Sequence, residues 1–243
     1  MDIITWLLFG LVAMLTHIIE GVTGFGATVL GMPFAILLLG VEIAKPVLTL
    51  YALLLCLYIF IRNIHLVRWD SYLKMMGALL IGLPMGIAVY NYLPQNILLT
   101  ILAVFMILVS IRGMLIAFDI LQKTSQIAEW IALIFVWIGG VIHGAYSSGG
   151  PLIIIYATEK IKDKSEFRAT LCLIWVTLNT IILSQMALAG QLTKQVWEVS
   201  LYGIPFLIGG TIVGNIAHHK LNESVFTKLT YTILLVTGIV MLV

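Results

Sequence analysis

The chain has 243 residues, 61% of them hydrophobic and 10% charged, with a net charge of +2 and a mean hydropathy of +1.12. A water-soluble domain of this length needs far more surface charge, so the composition excludes one and points to an all-α polytopic membrane protein. The basic residues are scattered through short loops, which leaves no footprint for nucleic acid and no segment long enough to bury a core of its own.

Hydrophobic segments run from 3 to 20, 26 to 40, 44 to 61, 75 to 92 and 97 to 118. The first begins at Ile3 with no Lys or Arg ahead of it and no small-residue cleavage site behind it, the pattern of a retained span rather than a signal peptide. After a more polar linker, 119–129, segments resume at 130 to 144, 150 to 158, 169 to 189, 199 to 217 and 224 to 243. A helix needs about 20 residues to cross the hydrocarbon core. The second and seventh segments fall short of that, and each follows a glycine cluster, so they read as half-helices or short tilted crossings, giving 8 to 10 transmembrane helices.

The linker separates a first membrane repeat, 1–118, from a second, 130–243. At an offset of 123, Gly21 matches Gly144, Gly26 matches Gly149 and Lys45 matches Arg168; at 128, Trp69 matches Trp197, Asp70 matches Glu198, Gly82 matches Gly210 and Gly86 matches Gly214. These pairs indicate an internal duplication. The GxxxG steps Gly82–Gly86 and Gly210–Gly214 read as close helix packing. If all ten segments cross, the loops around 62–74, 112–129, 159–168 and 218–228 share one side and hold all of the 13 Lys and Arg except Lys45 and Lys194. That asymmetry places those loops in the cytoplasm and both termini outside. Five crossings per half is odd, so the halves form inverted repeats, as in many transporters.

Polar residues interrupt the apolar sequence twice: at Gly21 to Pro33 and, more strongly, at Gly139 to Tyr156, where His143, Ser147, Ser148, Gly149, Gly150 and Pro151 fall within nine residues. The helix must break at such a cluster, and broken backbone is tolerated at membrane depth only where protein buries it or it lines a cavity. Ser147, Ser148, Gly149 and Gly150 precede an apolar run whose N-terminal amides would attract an anion. Thr23, Gly24, Gly26 and Thr28 form the matching half of that site, with Tyr146 as a further lining residue; the alternative is a helix cap beside close packing.

Ionisable groups inside apolar segments are functional candidates by default. His17 and Glu20, three apart, and His143 are the candidates for coupling to protons; Glu20 at the membrane surface and His143 as a structural group are the alternatives. Lys45 and Arg168 stand just before long helices as electrostatic attractors, unless Arg168 belongs simply to a basic loop. Asn179, Ser184 and Gln185 read as a polar stripe on one face of the eighth segment, with Asn179 and Gln185 as further substrate-binding candidates facing the cavity unless the stripe simply joins helices by hydrogen bonds, and His218–His219 as an interfacial pair. Cys56 and Cys172 read as buried thiols, and no spacing of ligands points to a metal or other cofactor.

The segments Gly21-Val-Thr-Gly-Phe-Gly26-Ala-Thr-Val-Leu-Gly-Met-Pro33 and Gly144-Ala-Tyr-Ser-Ser-Gly149-Gly150 resemble the paired glycine-rich motifs of the TauE/SafE family of sulfite and organosulfonate exporters. Val67-Arg-Trp69, Arg168-Ala-Thr170 and the late GxxxG steps are similar to that family as well. The chain departs from the pattern at Gly26-Ala-Thr28, at Gly149-Gly150-Pro151 and at Tyr156, which stands where the second motif has proline. The resemblance implies an inner-membrane transporter of a small anion, many in the family being sulfur-containing.

The expected function is therefore a secondary anion transporter working by alternating access, an exporter with possible proton coupling, and not an enzyme. A homodimer is compatible with the sequence. No GxxxxGK[ST] loop is present to power a primary pump. The alternatives are a passive anion channel and an intramembrane enzyme using His143 with Ser147 or Ser148, which lacks an orienting acid nearby.

Overall fold

A computed structural model describes residues 3–89, 95–121, 128–146, 149–240 and 242. Among the described residues there are ten α-helices and no strand: α1 Ile3–Thr23, α2 Ala27–Leu39, α3 Val41–Arg62, α4 Trp69–Val89, α5 Gln95–Ala117, α6 Glu129–Tyr146, α7 Gly150–Lys160, α8 Lys164–Leu188, α9 Lys194–Lys220 and α10 Glu223–Val240. Each apolar segment became one helix. Several start earlier than their apolar run, because polar first turns are also helical: Asp70 favours the positive end of α4, and the Asp163 and Asn222 carboxylate and amide oxygens accept N–H groups from the first turns of α8 and α10 at 2.8–2.9 Å. Among the described residues five helices, α1, α3, α4, α8 and α9, are long and apolar enough to cross a membrane, and α2, α6 and α10 are shorter apolar helices. Large apolar side chains face outward, Leu201 and Ile81 being more than 60% exposed, as a lipid-facing surface requires.

The helices gather into two compact units, Met1–Val67 with Arg168–Lys220, and Arg68–Phe167 with Leu221–Val243. In the first unit α1 packs along α9. Trp6 meets Tyr202 and Phe206, Gly21 meets Gly214, and His218 reaches Val22, so contacts advance together and the two helices run parallel. Tyr51 of α3 stands beside Phe9 and His17, and Cys56 beside Glu20, so α3 also ascends with α1. The intervening α2 must therefore carry the chain back towards the face from which α1 started.

The second unit repeats this arrangement. Along α4 and α6, Lys74 pairs with Glu129, Gly82 lies against Gly140 and Gly86 against Ala145, again a parallel pair. α7 folds back along α6, from Gly149 against Gly139 to Lys160 beside Glu129 at 3.7 Å. The first helix of each sequence half thus packs on the fourth helix of the other half, through the matched glycines Gly21 and Gly214 in one unit and Gly144 beside Leu83 and Ile87 in the other. The fifth helices meet directly: Gly113 faces Tyr231, and five residues on Phe118 lies under Lys228, so α5 and α10 are antiparallel. The fifth helices of the two sequence halves therefore run in opposite directions within this unit.

The basic loops converge at one end of this unit. Lys74, Lys160 and the Tyr156 hydroxyl gather on Glu129, Arg68 pairs with Glu166 at 3.4 Å, and Lys164 donates to the Leu221 carbonyl.

Close approach at the GxxxG steps leaves no room for side chains. A Cβ at Gly214 would lie 2.7 Å from the Ile18 carbonyl oxygen, and one at Gly86 would overlap the Val141 carbonyl. Gly214→Leu and Gly86→Leu should each lower stability by about 2 kcal/mol or more, read as a fall in the thermal unfolding midpoint of the purified protein in detergent; Gly77→Leu, where nothing lies within 4 Å, should change it little.

Candidate functional site

The first break joins α1 to α2 through three residues, and two of them are glycines in left-handed backbone, Gly24 at φ 83° and Gly26 at φ 106°. A side chain would strain either position. At Gly24 a Cβ would also stand 3.0 Å from the Arg168 Cα, so this turn lies directly on α8. Thr23 is fully buried, its hydroxyl 2.8 Å from the Ile19 carbonyl and 2.9 Å from that of Phe25; Thr28, in the first turn of α2, is half-buried.

A helix end leaves its last carbonyls without intrahelical donors, and hydrocarbon supplies none. Here three side chains from α8 and α9 supply them. Arg168 Nη1 donates to the Gly21 carbonyl at 2.7 Å, His218 Nδ1 to that of Val22 at 2.7 Å, and Trp175 Nε1 to that of Gly24 at 2.8 Å. Arg168 Nη2 donates to Asn215 Oδ1 at 2.8 Å, which fixes the guanidinium plane. A cation is well placed at the negative end of the α1 dipole.

This corrects two expectations. Arg168 is not in a loop but in the second turn of α8 and only 2% exposed, and His218 is fully buried rather than interfacial; only His219 is exposed. The polar face of α8 also differs from the expected stripe: Asn179 is buried, whereas Ser184 and Gln185 are exposed. Steps of five and six residues carry a side chain well over 90° around a helix of 3.6 residues per turn. The buried polar row is instead Arg168, Cys172, Trp175 and Asn179, spaced four, three and four apart, and that spacing was present in the sequence. His218 likewise continues the Gly210–Gly214 step by four residues.

Just ahead of the break, His17 and Glu20 lie one turn apart on α1, 0% and 2% exposed, so Glu20 is a buried carboxyl and not a surface one. Cys56 donates its thiol to Glu20 Oε1 at 3.4 Å, while Glu20 Oε2 has no partner among the described residues. His17 Nδ1 lies 2.7 Å from the Ala13 carbonyl, which requires the proton on Nδ1 and leaves Nε2 with a free lone pair; that atom too is buried without a partner. Tyr51 stands edge-on to the imidazole at 5.8 Å. Both cysteines are free and buried, as expected. Lys45 is half-buried in the first turns of α3.

The second break lies in the other unit, between the end of α6 at Tyr146 and the start of α7 at Gly150, with Pro151 in the first turn of α7. Gly149 has ordinary helical backbone, φ −72°, and needs to be glycine for room: a Cβ would overlap the Gly139 carbonyl and come 2.8 Å from the His143 Cβ. Matched glycines at 26 and 149 thus meet different demands. His143 is buried in the last turn of α6, and Gly150 is buried. Ser147, Ser148 and the side chain of Tyr146 lie outside the described residues. No group of three metal-ligating side chains occurs among the described residues.

Removing one donor leaves a buried carbonyl unsatisfied, which costs about 1–3 kcal/mol. Trp175→Phe deletes the N–H to Gly24 together with the five-membered part of the buried indole, so it should lower stability by at least that amount in thermal unfolding, and Arg168→Met, which deletes two donors at once, should also exceed it.

The family described as Sulfite exporter TauE/SafE matches residues 9–241. Among curated proteins, the chain is similar to "Probable inner membrane transporter protein TsaS" from Comamonas testosteroni, with 22% identity over 159 residues. That alignment covers 65% of this chain and 65% of the relative, so the chain spans just under two thirds of the relative's length. No solved structure matches the chain. With a match that begins in α1 and continues to the end of α10, and with ten helices among the described residues, interrupted at the two glycine clusters, the chain belongs to the sulfite exporter TauE/SafE family of membrane transporters.

Proposed function

We propose that this protein is a secondary transporter that exports a small anion, sulfite or a small sulfonate, across the cytoplasmic membrane by alternating access. Family membership supports the substrate class, and the relative's name supports the inner membrane. The observation that carries the reading is the pair of helix breaks in a membrane-embedded fold, the first buried at Thr23–Phe25 and the second followed by the buried Gly149 and Gly150. At each break a short helix begins, α2 or α7, whose first amides can grip an oxyanion. Thr23, Thr28 and the glycines supply the first grip, and the Tyr146–Gly150 segment the second. Arg168 serves the first by holding the break in shape, and Lys45 adds positive potential in the same unit. The basic loops are cytoplasmic and both termini lie outside.

Coupling to protons runs through the buried ionisable groups. Glu20 stands one turn and His17 two turns from the first break, and His143 one turn from the second, each out of contact with bulk solvent. A group that exchanges a proton as access alternates needs such a position. The expected measurement is flux in proteoliposomes. Vesicles loaded with sulfite should show counterflow of labelled sulfite, and an imposed proton gradient should drive accumulation. Glu20→Gln should keep counterflow and abolish gradient-driven accumulation. Accumulation equal to the unaltered protein would remove Glu20 from the coupling, and large passive flux without counterflow would make the protein a channel.

A further inference from the structure

The end of the second unit where the basic loops meet holds a cavity that the transport reading does not use. It lies among the last turns of α5, the end of α7, the start of α8 and the start of α10, and encloses about 170 Å³. Ile116, Phe167 and Phe226 form its apolar wall, the two phenylalanine rings meeting edge to face at 5.8 Å. Arg112, Glu159 and Lys162 form its charged wall. Lys162 donates to the Thr158 carbonyl at 2.7 Å, which holds its ammonium at the rim.

Among the described residues that line it, two cations against one carboxylate leave a single net positive charge. On α5, Val104, Leu108 and Arg112 follow at steps of four and are all exposed, so one outward stripe runs from apolar side chains to a guanidinium at the cavity mouth. That sequence of surfaces, hydrocarbon first and then a cation beside a polar recess, has the layout of a lipid: chains along the stripe and headgroup in the recess. Basic pockets between transmembrane helices recognise phospholipid headgroups in this way.

We propose that this cavity seats the headgroup of a glycerophospholipid, its phosphodiester on Arg112 and Lys162 and its chains along Leu108 and Val104. One net positive charge balances the single negative charge of a phosphodiester, whereas a phosphate monoester carries about −1.5 to −2 near neutral pH and fits less well. The apolar wall and the stripe give a lipid contacts that a free anion cannot use.

Native mass spectrometry of the full chain in detergent tests this, with phosphatidylglycerol, phosphatidylethanolamine and inorganic phosphate added in turn. The two lipids should be retained and inorganic phosphate should not. Arg112→Gln combined with Lys162→Gln should weaken lipid retention by roughly tenfold or more. Arg62→Gln combined with Lys220→Gln, which removes the same charge from the other unit, should leave it unchanged. Ala117→Trp fills the cavity and keeps both cations, so it should also lose the lipid and guards against a double variant that fails to fold. Equal retention by the Arg112/Lys162 and Ala117 variants, or phosphate bound as well as lipid, would overturn the assignment.

Discussion

The demand that shapes this molecule is that a helix ended inside hydrocarbon exposes carbonyl groups that water cannot reach. Where α1 stops, Gly21, Val22 and Gly24 each need a donor from elsewhere, and each receives one from a side chain 147 to 196 residues away in the chain. An arginine, a histidine and a tryptophan buried in a membrane protein would each be expensive alone. Set against three bare carbonyls they become complementary, because burying either set without the other leaves unsatisfied polar groups. The break is therefore a fixed feature of the unit rather than a locally frayed helix.

A second constraint is steric. Helices draw close enough for backbone to touch backbone only where neither has a side chain, and both units use glycines for the approach of a first helix to a fourth. That proximity is also what brings α9 near enough for His218 and Asn215 to reach the end of α1 and the Arg168 side chain. Packing and hydrogen bonding at the first break are thus one arrangement. At the second break glycine is again required, yet at Gly149 the reason is the neighbouring Gly139 carbonyl and not the backbone angle.

Ten helices, their approximate limits, the two interruptions and the GxxxG contacts were legible because they are local: hydropathy, glycine and proline act within a turn or two. The side-by-side placement of the basic loops in the second unit was legible too, since charge asymmetry records topology. The donors at the first break were not. Arg168 follows a basic loop and His218 precedes another histidine and a lysine, so composition nearby pointed to the surface, while their true partners lie far off in sequence. The correct face of α8 could have been found from the four-three-four spacing of Arg168, Cys172, Trp175 and Asn179; choosing polar residues by type led instead to Gln185. Whether Ser147 and Ser148 answer the threonines of the first motif lies outside the described residues.

The exchange of fourth helices between halves bears on how the protein is made. During synthesis α1 enters the bilayer long before α9 exists, so its glycine face and its terminal carbonyls wait for a partner that emerges near the end of translation. Neither sequence half is a self-sufficient folding block, although each looks like one on paper. This crossing-over of helices binds the two halves into mutual dependence, so that losing either would leave the other without a mate to pack against.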